Sequence, residues 1–290
     1  MDLVAVIISV CAMIGLGLFL ATVLAVANRK LYVFVDPRIS EIESMLPGNN
    51  CGACGQPGCL AFSELVVAGD LAPGSCTPSS EESREAIAEL LGVEVGGDEK
   101  QVARLACAGG TNVARQRARY EGLQTCRAAS LVAGGGKGCA WGCLGLEDCM
   151  RVCIFDAITM DAFSLPVVEE ALCTACGDCV DVCPKQLFSI QPVSHQLWVA
   201  CKNEAFGDEA EAECDVACNA CGLCAQDAPG DVVKIINNLA TVDYGQEHLA
   251  AREAIERCPT GAIVWLGAGR SPLKGLKAKH IVRNSPLPVG

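Results

Sequence analysis

Residues 3–27 run LVAVIISVCAMIGLGLFLATVLAVA, an apolar stretch without a single charge, and the chain then turns basic at Arg29-Lys30. A helix of that length is long enough to span a bilayer core with some tilt. A cleavable signal peptide is the rival reading, with Ala25-Val-Ala27 as its cleavage site. Against it, no Lys or Arg precedes the stretch, Asp2 does, and the run is longer than a signal core. The pattern predicts a retained single-pass anchor over 1–28 in the inner, cytoplasmic membrane, and the basic pair places the rest of the chain on the cytoplasmic side. Cys11 inside the run reads as a small apolar residue.

Beyond the anchor the periodicity becomes helical and short. Asp36-Pro37 opens a candidate helix with Ile39, Ile42 and Met45 or Leu46 on one face. A second amphipathic segment covers Leu60 to Val67. Residues 93–137 read as a helical connector, broken at Gly134-Gly-Gly136, and the runs 154–158 and 187–190 read as short strands.

Composition changes this picture. There are 21 cysteines in 290 residues, set two or three apart in clusters, while aromatics make up only 4%. A disulfide scaffold is usually a short secreted chain with dispersed cysteines, so metal or cluster ligation is favoured. Bound clusters would supply cohesion that two to four small domains could not draw from their own cores.

The first run is Cys51-Gly-Ala-Cys54-Gly-Gln-Pro-Gly-Cys59, completed by Cys76. Glycines let the backbone wrap tightly around a cube and turn its N–H groups towards sulfur. Zinc, which C-x2-C also serves, is the rival; the x4 spacing and the runs downstream favour a [4Fe–4S] cluster. Next come Cys139, Cys143, Cys149 and Cys153, and then Cys173-Thr-Ala-Cys176-Gly-Asp-Cys179-Val-Asp-Val-Cys183-Pro184. The latter has the bacterial ferredoxin spacing, in which the fourth cysteine of each run serves the other cluster. The expected sets are Cys139, Cys143, Cys149 and Cys183 for one cluster, and Cys153, Cys173, Cys176 and Cys179 for the other. The first of these runs departs from the pattern by its x3 and x5 spacings and by Ile154 in place of proline.

A third module begins with Cys218-Asn-Ala-Cys221-Gly-Leu-Cys224, but Ala228 stands where the fourth cysteine belongs. By the crossing rule Cys258, followed by Pro259, completes the set of Cys218, Cys221 and Cys224. Counting back from Cys258 gives Ala254, Ala251 and His248, so the module keeps one complete cluster and lacks all four ligands of the other. His248 reads as a solvent-facing or capping residue. Cys107, Cys126, Cys201 and Cys214 fall outside every run and read as buried thiols, with a further metal site or an oxidation switch between a pair as the alternative.

The formal net charge is −12, unevenly spread. Residues 204–215 carry acids and no base, and read as a solvated loop. Residues 270–290 carry bases and no acid, and read as an extended tail for anionic lipid or an acidic partner. Arg115, Arg117 and Arg119 read as a solvated face. So acidic a chain is a poor nucleic-acid binder. No G-x-G-x-x-G after a strand, P-loop or nucleophile–base pairing marks a complete active site, so NAD and flavin would bind elsewhere.

The order of one span, a C-x2-C-x4-C-x16-C module and a ferredoxin module, with Asn50-Cys51 to Cys59 and the block from Gly134 to Cys149, resembles the B subunits of the Rnf complexes. These are membrane-bound ion-translocating ferredoxin:NAD oxidoreductases. The resemblance implies an electron-transfer subunit of a translocase, relaying electrons from reduced soluble ferredoxin towards flavin and iron–sulfur subunits, with ion transport left to integral partners. A membrane-tethered polyferredoxin serving another reductase without ion coupling is the alternative. The expected fold is α+β: anchor (1–28), four-cysteine [4Fe–4S] domain (29–92), helical connector (93–137), two-cluster (βαβ)2 ferredoxin module (138–192), one-cluster ferredoxin-like module (193–267) and basic tail (268–290), with about four [4Fe–4S] clusters in all.

Overall fold

The computed structural model describes residues 3–31, 36–97, 99–267 and 270–289. Helix α1 (Leu3–Leu31) runs on past the apolar stretch through Arg29 and Lys30. Its Met13, Phe19 and Leu24 are exposed, and it is long and apolar enough to cross a membrane. The rest of the chain mixes short helices with two- and three-stranded sheets.

Three helices form the first small core. In α2 (Pro37–Met45) the Asp36 carboxylate accepts from the Arg38 N–H at 2.9 Å, which caps the helix start. Helix α3 (Cys59–Ala68) begins on a cysteine, and α4 (Glu81–Leu91) is capped by Ser80 and stopped by left-handed Gly92. Ile42, Phe62, Val66 and Ile87 are buried between them.

The middle unit takes in part of the expected connector. Val102 and Ala103 are buried in strand β1 (Gln101–Leu105), so residues 93–137 are not a helical stretch; among the described residues their one α-helix is α5 (Cys126–Leu131). The partner that makes 101–105 a strand lies far along the sequence, beyond reach of local periodicity. After α6 (Asp148–Val152) comes the hairpin of β2 (Ile158–Met160) and β3 (Pro166–Val168). Then α7 (Asp178–Val182) leads to β4 (Phe188–Pro192), which pairs antiparallel with β1, Ala103 opposite Ile190. The strand expected from Ile154 starts only at Ile158, because Asp156 turns the chain at φ 52°.

The last unit repeats this plan. Strand β5 (Leu197–Val199) precedes α8 (Gly207–Glu213) and α9 (Leu223–Asp227); the hairpin of β6 (Val233–Ile236) and β7 (Leu239–Val242) follows; α10 (Glu253–Glu256) leads to β8 (Ile263–Gly267), which pairs with β5. Strand β9 (Arg270–Leu273) extends that sheet. The units meet where Trp198 donates to the Leu105 carbonyl at 2.9 Å and packs with Ala106, Val264 and Leu266.

Charge binds these parts together. Asp215 pairs with Arg283 at 2.5 Å and Arg115 at 3.6 Å; Glu213 pairs with Arg117 and Glu211 with Lys279. Lys279 holds the Glu211 carboxyl below its usual range. The acidic run and the basic tail, expected to face solvent and partners, thus face each other, and Leu287 N–H donates to Thr111 O at 2.8 Å.

Candidate iron-sulfur centres

Four thiols, Cys51, Cys54, Cys59 and Cys76, line one cavity at the first core. Gly52 and Gly55 take positive φ, which only a residue without Cβ adopts freely. The Asn50 side-chain oxygen accepts from the Cys59 N–H at 2.8 Å and locks the loop to the start of α3. Cys76 enters from a short 3-10 turn, and burial pushes its thiol up to about 11.

In the middle unit, Cys153, Cys173, Cys176 and Cys179 line a second cavity. Helices α6 and α7 each serve two cavities, because Cys149 and Cys183 line a third. Cys143 is also there, but Cys139 is not: the structure puts Cys126 in that fourth place. Backbone geometry explains the exchange. Leu146, Cys176 and Cys221 each sit between two positive-φ residues, Gly145 (71°) and Glu147 (68°), Ala175 (61°) and Gly177 (93°), Ala220 (57°) and Gly222 (75°). Leu146 therefore occupies the middle position of a C-x2-C-x2-C loop, and its missing thiol is supplied from α5. Asp148 accepts from the Arg127 N–H at 3.1 Å and Arg151 donates to the Gln124 carbonyl at 2.9 Å, clamping Cys126 against α6. No spacing rule could have found it.

The last unit gathers Cys218, Cys221, Cys224 and Cys258 around one cavity. On its other side Ala228, Ala254 and Ile255 are buried together in packed core, and Ala251 is half-buried. His248 is exposed.

A fifth cavity lies between the two units and is lined by Cys107, Cys139, Cys201 and Cys214. Three of these fall outside every motif, and Cys139 was expected elsewhere.

The FeS family model, which describes an Fe-S cluster domain, matches residues 46–78. The B subunit of the Na(+)-translocating ferredoxin:NAD(+) oxidoreductase complex of Acetobacterium woodii is 38% identical over 247 residues, 85% of this chain and 74% of the relative. The B subunit of the ion-translocating oxidoreductase complex of Methanosarcina acetivorans is 33% identical over 88% of this chain and 96% of its own length. For the B subunit of the proton-translocating ferredoxin:NAD(+) oxidoreductase complex of Clostridium ljungdahlii the values are 37%, 88% and 90%. The chain belongs to this family of B subunits.

Several features of this B-type chain fit sulfur-rich cofactors. Cysteine sulfurs accept backbone N–H bonds at their cavities, Cys173 from Ala103 at 3.4 Å and Cys183 from Leu187 at 3.5 Å. The Thr174 hydroxyl, buried beside Cys173, has no partner, so a bound acceptor would satisfy it. Burial, reinforced by neighbouring thiols, pushes Cys143, Cys149, Cys179 and Cys224 up to about 12. The bare thiols are therefore protonated at neutral pH, and metal binding must displace the protons. Among the described residues no three His, Cys, Asp or Glu side chains are drawn tightly enough together to hold a single ion. Tetrahedral zinc requires sulfurs about 3.8 Å apart, as follows from Zn–S bonds of ~2.3 Å.

Proposed function

We infer that this chain is the electron-transfer subunit of an ion-translocating oxidoreductase complex, relaying electrons between reduced soluble ferredoxin and the flavin and iron–sulfur subunits that reach NAD. The carrying observation is that four sets of four thiols each line a cavity of their own. The ligand sets are Cys51, Cys54, Cys59 and Cys76; Cys126, Cys143, Cys149 and Cys183; Cys153, Cys173, Cys176 and Cys179; and Cys218, Cys221, Cys224 and Cys258. Each would hold a [4Fe–4S] cluster, which supplies reversible one-electron storage without bond making.

The paired strands and crossed helices of the middle and last units support their reading as ferredoxin-like modules. Helices α6 and α7 tie two ligand sets together covalently, and the Thr77 hydroxyl, next to Cys76, donates to the Thr174 carbonyl, next to Cys173, at 2.6 Å. The first cavity is thereby joined to the second. Helix α1 would anchor the chain, with Arg29-Lys30 keeping the cysteine-rich part on the cytoplasmic side of the inner membrane.

The test is purification from solubilised membranes under anaerobic conditions. The chain should come with several hydrophobic subunits, and ferredoxin-driven NAD reduction by the reconstituted complex should build an ion gradient. Recovery of the chain alone, with no gradient, would overturn the reading in favour of an uncoupled electron carrier.

A further inference from the structure

The fifth cavity has a symmetry that packing alone does not require. Cys107 lies two residues past β1 and Cys201 two past β5, the corresponding strands of the two units. Cys139 and Cys214 lie four residues before Cys143 and Cys218, the first thiols of the corresponding loops. Each unit thus contributes two thiols from equivalent positions.

Their hydrogen bonds repeat as well. Cys107 accepts from the Gly109 N–H at 3.4 Å and the Cys143 N–H at 3.5 Å; Cys201 accepts from the Asn203 N–H at 3.4 Å and the Cys218 N–H at 3.3 Å. Asn203 lines the cavity and is 2% exposed, and its side-chain NH2 has no partner, an orphan donor that a cluster sulfide would satisfy. Lys137 also lines the cavity, held by the Gly109 and Cys143 carbonyls at 2.6 and 2.5 Å, and puts a cation beside four prospective thiolates.

The surrounding chain is pinned to keep the thiols there. Ala108 N–H donates to Ala200 O at 3.0 Å, which brings Cys107 to Cys201. Arg115 N–H donates to Glu213 O and Gly138 N–H to Arg115 O, both at 2.9 Å, which brings Cys214 to Cys139. A Cβ added at Gly109 would meet the Cys214 sulfur at 3.3 Å and the Cys107 sulfur at 3.6 Å. A side chain there would crowd the Cys214 sulfur.

From this geometry we propose that Cys107, Cys139, Cys201 and Cys214 ligate a fifth [4Fe–4S] cluster that carries single electrons between the two units. Like the other four cavities, the fifth is lined by four thiols, and among the described residues no three of these are drawn closely enough together to hold a lone ion. Cys143 and Cys218, ligands of the clusters on either side, donate the very N–H bonds that its sulfurs accept. One electron leaves the reduced cluster of one unit, reduces the fifth, and passes to the oxidised cluster of the other; no proton moves and no covalent bond changes. The inference rests on the iron–sulfur reading of the other four cavities, and it puts the last unit on the electron path rather than beside it.

The test is iron, sulfide and zinc analysis of the full chain purified anaerobically, with iodoacetamide labelling of the native protein read by mass spectrometry. About twenty irons per chain are expected, four in each of five clusters, with the four thiols protected from labelling. A Cys201→Ser/Cys214→Ser variant should lose about four irons. About sixteen irons in the wild type, with Cys107, Cys139, Cys201 and Cys214 alkylated or with one zinc bound, would overturn the fifth cluster alone. Absence of iron and sulfide would instead overturn the cluster reading as a whole. The wild-type count and labelling map stand even if the variant does not fold.

Discussion

The middle and last units share one plan, a terminal strand pair, a hairpin and two short helices, yet differ in what fills them. In the middle unit both sides of the helix pair face thiol-lined cavities, and besides cysteines its buried cluster holds only Ala103, Ile158 and Phe188. In the last unit one side is thiol-lined and the other is apolar, with Val232, Ala254 and Ile255 almost wholly buried. The helix pair whose thiols cross between two cavities in one unit serves a single thiol cavity in the other and is joined there by Arg257, which grips Asp227 through two hydrogen bonds of 2.7 and 2.5 Å. Arg257 and Asp227 directly precede Cys258 and Ala228, where the middle unit has Val182 and Val152. The same frame can therefore carry apolar volume and an ion pair where the middle unit has a thiol-lined cavity, and keep its shape.

The sharpest way to break this comparison is to remove the metal. Chelation under oxidising conditions should abolish amide protection through the middle unit, whereas β5, β8 and the β6–β7 hairpin should retain part of theirs; hydrogen exchange reads the difference. Equal loss in both would mean that the apolar filling stabilises nothing. Next in size, Cys258→Ala should remove the last unit's cluster, about four irons by analysis, and leave the middle unit's spectroscopic signals in place. The loop exchange gives a rescue experiment. Cys126→Ser should cost a cluster or leave a three-iron remnant visible by electron paramagnetic resonance, and Leu146→Cys added to it should restore the count, because the left-handed residues at 145 and 147 already shape the loop for a thiol. Failure of the rescue would show that residue 146 does not face the cavity. The smallest effect is expected from Ala228→Cys, which should add no iron: its partners at 248, 251 and 254 are absent, and Arg252 has relaxed to φ −65°, where the equivalent loops hold positive φ.

Ligand sets differ in how legible they are. Cys173, Cys176 and Cys179 share one cavity because a three-residue spacing within one loop fixes their separation covalently. The same holds for Cys51, Cys54 and Cys59, and for the run that starts at Cys218. The x3 and x5 spacings around Cys143 are a true signal of departure. They point to Cys139 as a weak member without naming Cys126, because the substitute thiol arrives from a helix packed against the loop. The tail escapes a sequence reading for a related reason: its bases and the acids of 204–215 are visible in the sequence, but their pairing depends on the path of the chain between them.

The sequence by itself determined the apolar N-terminal helix, the iron–sulfur character of the chain and the thiol runs at 51–59, 173–179 and 218–224, since each follows from composition or from spacing along a few covalent bonds. Only the tertiary structure decided which thiol completes the third cavity and that Cys107, Cys139, Cys201 and Cys214 form a fifth. Those residues come together through backbone hydrogen bonds and ion pairs between segments far apart in the chain, and a sequence carries no local mark of a contact made by the packing of two units.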